Sequence, residues 1–216
     1  MLQASGIHKN YEQLAILKGV DLYVAPSEII SIVGSSGAGK TTLLQILGTL
    51  DSPTNGQLLI EGKNPFSLNE KALAHFRNQR LGFVFQFHQL LPEFTALENI
   101  ALPALIGGSN QTDAFKKAQT LLDRFGLASR AQHKPEALSG GEQQRIAVAR
   151  ALINEPALVF ADEPSGNLDT ENANALHNLF LALREEMKQT FVIVTHNTNF
   201  AQMADRCLTM QDGQFV

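Results

Sequence analysis

The sequence contains a single cysteine, Cys207, among 216 residues. An intramolecular disulfide and a cysteine-rich zinc site are therefore excluded, and a reducing compartment is expected. Long apolar runs are missing as well. The best stretch, residues 96–108, carries Glu98, Asn99 and Pro103 and falls short of the roughly 18 apolar residues that a membrane span needs. If the protein acts on a membrane, it is expected to do so through another chain. The opening MLQASGIHKNYEQ has neither a basic n-region nor an apolar h-region, so it is not expected to be a signal peptide. Positive charge is in short supply: 17 Lys and Arg stand against 21 Asp and Glu, for a net charge of −4 and a pI near 5.9. That balance argues against a broad nucleic-acid footprint, though it leaves room for a local basic pocket. No internal repeat or low-complexity run interrupts the chain.

What is present suits one globular domain, with room for a subdomain, large enough to bury a proper core: 44% of residues are apolar and 18% charged,. Short apolar patches in residues 1–28 predict antiparallel strands. EIISIVG (28–34) and ALVFAD (157–162) are continuous apolar runs, typical of strands buried on both faces,. QLLIEG (57–62), GFVFQ (82–86), TFVIVTH (190–196) and RCLTM (206–210) read as further strands. Leu43, Leu44, Leu47 and Leu50 are spaced for a helix after the glycine loop, and Ala118, Leu121, Leu122 and Phe125 for one helix face,. A helix with a mixed face is expected over NANALHNLFLALREEM. Strands alternating with helices predict an α/β fold with a mostly parallel core sheet and an N-terminal antiparallel β part. A helical stretch, residues 87–156, interrupts the alternation as an inserted subdomain between two core segments, 1–86 and 157–216.

Gly34, Ser35, Ser36, Gly37, Ala38, Gly39, Lys40 and Thr41 satisfy G-x-x-x-x-G-K-[ST] with a strand before and a helix after,. Glycines let backbone amides turn inward around phosphate oxygens, and the helix N-terminus favours the anion. Lys40 is assigned to the β- and γ-phosphates and Thr41 to Mg²⁺, with Thr42 next to it in the nucleotide-binding set. Asp162 ends a buried strand, where α/β proteins place ligands, and is assigned to the Mg²⁺ shell. Glu163 points elsewhere and is placed to orient or deprotonate the attacking water. Taken alone, two acids before Pro164 could equally cap a helix start. His196 ends another strand and could hold the γ-phosphate and position Glu163 or its water, the alternative being an ordinary polar turn residue. His8, His75, His88, His133 and His177 are read as polar turn residues. Gln86 ends a strand and can reach Mg²⁺ or water from the side. Tyr11 can stack on adenine or be an ordinary strand-edge tyrosine.

The octet LSGGEQQR (138–145) poses a different problem. Ser139 with Glu142 three residues on is a capping-box pattern, yet Gly140 and Gly141 would weaken an ordinary helix start. A close backbone approach to something else explains them better. Two anion-binding helix starts around one triphosphate make sense if the second acts across a two-fold dimer. Ser139 and the amides of Gly140 and Gly141 would then cap the γ-phosphate held by the partner's Lys40.

GSSGAGKT, Gln86, LSGGEQQR, ALVFADEP, SGNLD (165–169) and His196 stand in the order found in ABC-type ATPase subunits, and the chain resembles that family over nearly its whole length. The resemblance implies a P-loop ATPase using ATP and Mg²⁺, and a head-to-tail homodimer closed by ATP. It implies roles for Leu138, Ser139, Gly140, Gly141, Glu142 and Gln143 acting in trans, for Tyr11 in adenine stacking, for Gln86 in coupling and for Asp169 across the dimer. It also implies integral-membrane permease partners, no nucleic acid, and a peripheral position on the cytoplasmic face of the inner membrane. Residues 85–108 and DEPSGNLD look most like the lipoprotein-releasing branch, with macrolide-type exporters and the cell-division complex as related alternatives. Ser165 stands where Thr is the commoner choice; both offer a hydroxyl. Phe87, Leu90, Leu91, Pro92 and Phe94 are expected to dock a short helix of the membrane partner, the alternative being ordinary core packing. A non-transport ABC ATPase would need a coiled-coil insertion or tandem duplication that the sequence lacks. A P-loop kinase would have no use for the octet, and a purely regulatory module none for Asp162, Glu163 and His196.

Overall fold

In the computed structural model, which describes residues 1–216, the alternating N-terminal stretch forms β1 (Leu2–Tyr11) and β2 (Leu14–Val24), paired antiparallel. The apolar run that follows is β3 (Ile29–Val33), and the glycine loop leads into α1 (Lys40–Leu47). Next, β4 (Asn55–Ile60) pairs antiparallel with β1, so a three-stranded sheet in the order β2-β1-β4 forms the N-terminal layer. The chain continues through α2 (Glu70–Arg80) directly into β5 (Leu81–Phe85). The helical stretch holds α3 (Ala96–Ile106), α4 (Gln111–Arg124) and α5 (Gly140–Leu152). It is followed by β6 (Leu158–Asp162), α6 (Thr170–Met187), β7 (Thr190–Val194), α7 (Thr198–Met203), β8 (Arg206–Gln211) and β9 (Gln214–Phe215).

The second sheet has the order β5-β6-β7-β3-β8-β9. Its neighbours run parallel except for the β8–β9 hairpin. Successive side chains of a strand point to opposite faces, and each face of this sheet has its own core. Val159 and Ala161 of β6, Phe191 and Ile193 of β7 and Ile29 of β3 pack with α3–α7. Leu158, Phe160, Val192, Val194, Ile30 and Ile32 face the antiparallel sheet and α1. The continuous apolar runs are thus explained by parity, each residue being buried on one side or the other. The helical stretch does not form a separate core: Ile100, Ala118, Leu122 and Ile146 belong to the same cluster as β6 and β7.

Three features depart from the sequence expectation. Leu50 lies beyond α1 and is exposed, because Gly48 ends that helix. Three elements, α2, α7 and β9, were not anticipated. α2 buries no residue, so it has no apolar stripe to read, and α7 and β9 have only six and two residues. The histidines are not all turn residues: His8 lies in β1, His75 in α2, and His177 in the middle of α6, where it is buried. No helix is long and apolar enough to cross a membrane.

Candidate active site

The carboxyl ends of β3, β5, β6 and β7 meet at one edge of the parallel sheet, where ligands of α/β sheets bind. The loop after β3 turns into α1 at Gly39, whose φ of 101° lies in the left-handed region that favours glycine,. No side chain caps α1, whereas α2 to α7 each begin with an Asn, Thr, Ser or Asp that accepts from a first-turn amide. The first-turn amides of α1 are therefore left for an anion. Lys40 Nζ donates to the Gly34 and Ser35 carbonyls, at 2.8 Å each, which folds the ammonium back over the loop. Gly34, Ser36, Gly37, Gly39, Lys40, Thr41 and Thr42 line a cavity of about 540 Å³, while Ala38 is buried beneath the loop. Gln86, Asp162, Glu163 and His196 complete its polar wall, with Ile16 and Val194 as apolar members.

The two adjacent acids have separate partners. Asp162 faces the loop: burial, above all, raises its pKa, the Thr41 hydroxyl lowers it, the neighbouring Glu163 carboxylate raises it and the Lys40 charge lowers it, and the net displacement is upward. A cation beside Asp162 would relieve that unfavourable charge. The chain contains no group of three or more His, Cys, Asp and Glu able to hold a metal. The hydroxyl of Thr41 and the carboxylate of Asp162 are hard oxygen donors of the kind that suit Mg²⁺, which keeps water and takes substrate phosphates rather than an all-protein cage,. Glu163 has a φ of 46°, a costly conformation for a non-glycine residue that recurs at functional sites,. Its amide donates to the Val194 carbonyl at 2.9 Å. Its Oε2 accepts from the His196 amide at 3.1 Å and lies 2.8 Å from His196 Nδ1. A carboxylate can only accept, so Nδ1 carries the proton in this contact.

Gln86 lines the cavity, but its Nε2 donates to Asn167 Oδ1 at 3.1 Å while Asn167 Nδ2 donates back to the Gln86 carbonyl. Tyr11 stands outside the cavity lining and is 47% exposed. Its hydroxyl donates to Asp51 Oδ2 at 2.7 Å, and Lys9 Nζ sits 4.8 Å from the ring centroid while bonding Asp51 Oδ1 at 2.7 Å. Neither Asp51 nor Lys9 was flagged by the sequence. The i, i+2 spacing of Lys9 and Tyr11 puts them on one face of β1, but nothing local points to Asp51.

The octet lies elsewhere: none of residues 138–143 lines the Lys40 cavity. The capping box is present in full. Glu142 N–H donates to Ser139 Oγ at 3.3 Å and Ser139 N–H to Glu142 Oε2 at 2.8 Å. Arg130, first, and the Ser139 amide, second, hold the Glu142 carboxyl down at about 2. Gln143 Nε2 donates to the Pro135 and Leu138 carbonyls and steadies the approach to α5, with Leu138 buried beneath. Ser139 and Gly140 are exposed. A Cβ on Gly141 would come 2.2 Å from Asn172 Oδ1, whereas one on Gly140 would meet only Leu168, at 3.7 Å. Asp169 caps α6 and accepts from the Asn172 amide and Nδ2. These bonds hold its exposed carboxyl below the usual range.

A family model described as ABC transporter matches residues 17–166. The chain is 56% identical to the lipoprotein-releasing system ATP-binding protein LolD of Bacteroides fragilis (strain YCH46) over 216 residues, all of both chains. It is also 56% identical to the protein of that name from Cytophaga hutchinsonii over 216 residues, 100% of this chain and 99% of that one. Among solved structures it resembles the ATP-binding cassette MJ0796, in a dimeric post-hydrolysis state bound to ADP and Pi. The TM-score is 0.90 at 37% identity, covering 100% of this chain and 96% of that one.

Proposed function

The chain belongs to the ABC transporter family as an ATP-hydrolysing subunit, and from that premise we propose how its residues divide the work and what the work moves. The observation that carries the proposal is the gathering of Lys40, Thr41, Asp162, Glu163 and His196 around a single cavity at the end of the parallel strands. Lys40 leaves the Gly34 and Ser35 carbonyls for the β- and γ-phosphates, and the uncapped α1 amides hold phosphate oxygens. Thr41 and Asp162 hold Mg²⁺, with Gln86 reaching it or the water from the side. Bound there, the ion neutralises charge on the β- and γ-phosphates. Glu163 orients and deprotonates the attacking water. His196 pins one carboxylate oxygen and faces the γ-phosphate. Tyr11 stacks on adenine, its plane set by Asp51 and Lys9.

The second grip on the γ-phosphate comes from Ser139 and Gly140 of a second copy, with Gly141 seating that helix start on its own chain, and Asp169 meets that copy across the interface. ATP thus closes a homodimer, and its hydrolysis loosens it, because only the closed state has both sets of contacts. The dimer sits on the cytoplasmic face of the inner membrane against permease subunits. Phe87, which is 72% exposed, together with Leu91 and Phe94, receives a short helix from them. The loop bearing these residues is braced from below. Buried Asn99 bonds the backbone of Leu91 and Phe94, and Arg150 bonds the carbonyls of His88 and Gln89. By the names of relatives sharing 56% identity over the full length, the transported substrate is a lipoprotein released from that membrane.

Glu163→Gln tests the central assignment. Phosphate release is expected to fall by about a hundredfold or more, and an ATP-filled species of twice the 23.6 kDa chain mass is expected to accumulate. Unchanged turnover would remove Glu163 from its role.

A further inference from the structure

One buried titratable side chain has no part in the site as described. His177 lies in α6 and is only 2% exposed. Its Nε2 is 3.0 Å from Ser165 Oγ, itself buried. Its ring stacks on Phe200 with centroids 3.9 Å apart and planes 4° from parallel. Burial lowers its pKa to about 4, so the ring stays neutral near pH 7.

Both contacts lead to the catalytic pair. Ser165 comes two residues after Glu163, and the turn between them is closed by Gly166 N–H donating to the Glu163 carbonyl at 3.0 Å. Phe200 belongs to α7, where its amide is capped by Asn197 Oδ1 at 3.0 Å. Asn197 follows His196 directly, and its own amide donates to Thr195 Oγ1 at 3.0 Å. At the front, Glu163 and His196 are bonded to each other. The contacts form a closed ring: Glu163, Ser165, His177, Phe200, Asn197, His196 and back to Glu163. In that ring the imidazole bridges two loops that leave neighbouring parallel strands, β6 and β7.

We propose that His177 is a positioning residue for ATP hydrolysis, holding the Glu163 loop through Ser165 and the His196 loop through Phe200 while touching neither nucleotide nor water. Phenylalanine there would keep the stack and lose the hydrogen bond. Alanine at 165 would lose the same bond and leave the ring in place. The bond therefore has two independent handles, and its geometry controls where the Glu163 carboxylate stands relative to the attacking water. A misplacement of that kind lowers kcat with little effect on substrate binding.

This inference rests on the proposed roles of Glu163 and His196, so Glu163→Gln belongs in the same experiment. His177→Phe, Ser165→Ala, the double variant and Ser165→Thr are assayed as purified full chains, with melting temperatures measured alongside. The two single variants are expected to lose about tenfold in kcat, with KM for ATP changed by less than about twofold. The double variant should be no slower than the slower single, because both remove one shared interaction. Ser165→Thr, which keeps the hydroxyl, should recover most of the rate. If His177→Phe does not fold, Ser165→Ala against Ser165→Thr decides alone. Normal kcat in Ser165→Ala, a rise in KM matching the fall in kcat, or Ser165→Thr as slow as Ser165→Ala would each overturn the positioning role. If Glu163→Gln itself hydrolyses at the unaltered rate, both the pair's role and the bracket behind it fall. If Glu163→Gln is inactive and Ser165→Ala is not, only the bracket falls.

Discussion

At the scale of single residues, His177 and Glu142 have pKa values displaced far enough to set different pH windows for stability. His177 is held at about 4 by burial, below the ordinary histidine value of roughly 6.5. The unfolded chain therefore takes up a proton that the folded chain refuses between those values. The resulting stability is full above about 6.5 and is lost as pH falls towards 4, up to about 3 kcal/mol. Glu142, at about 2 because of Arg130 and the Ser139 amide, acts lower down. Its contribution is present above 4.5 and lost as pH falls towards 2. The denaturation midpoint is expected to drop already between pH 6.5 and 4.5, above the window in which Glu142 contributes, and His177→Phe should flatten that limb. An unchanged limb in the variant would assign the acid sensitivity to other groups. The sequence points to Lys40 as a candidate through the G-x-x-x-x-G-K-[ST] motif, and to Asp162, Glu163 and His196 because a polar residue ending an apolar strand has to be explained,. His177 reads in the sequence as a polar turn residue, and only the fold brings Phe200 against it.

At the scale of elements, the paired glycines of α5 separate into two functions. Gly141 has a neighbour within its own chain: any Cβ there runs into Asn172, whose side chain is bonded to Asp169. Gly140 is exposed and unobstructed, so the backbone open to an outside ligand is at 140. Gly141→Ala should cost about 1–3 kcal/mol of stability by overpacking and should disturb the Asp169 cap. Gly140→Ala should change stability by less than about 0.5 kcal/mol, so any loss of ATP hydrolysis in that variant reports on a contact outside the chain. Melting curves and phosphate release on the two proteins separate these effects; a destabilised Gly140→Ala, or a Gly141→Ala as stable as the parent, would reverse the division. The elements that could be read from sequence are those with a periodic burial requirement. β3, β6 and β7 appeared as apolar runs because alternate residues feed two cores. By contrast, α2 buries nothing, and its only sequence marks are the Asn69 cap, Glu70 in the first turn and Arg77 and Arg80 in the last.

At the scale of the whole molecule, the Lys40 cavity and the exposed start of α5 belong to one chain yet do not meet within it. One copy can therefore offer a triphosphate its lysine and strand-end residues but not its second helix start. A two-fold pair would supply what is missing twice over, each copy lending Ser139 and Gly140 to the other. Arginine at 139 puts bulk and length where the partner's nucleotide must approach, without touching the copy's own cavity. Added to Glu163→Gln, Ser139→Arg is expected to abolish the ATP-dependent species of twice the chain mass while the monomer still binds ATP. Mixing two defective chains makes the geometry explicit. A Ser139→Arg chain retains Lys40, and a Lys40→Ala chain retains Ser139, so their mixed pair contains one site with both intact groups and one with neither. In the Glu163→Gln background the mixture should occlude one ATP per pair, while neither defective chain occludes any by itself. If the double variant still dimerises with ATP, or if the mixture occludes none while the monomers bind nucleotide normally, then Ser139 does not act on its neighbour's phosphate and the grip must be completed within each chain.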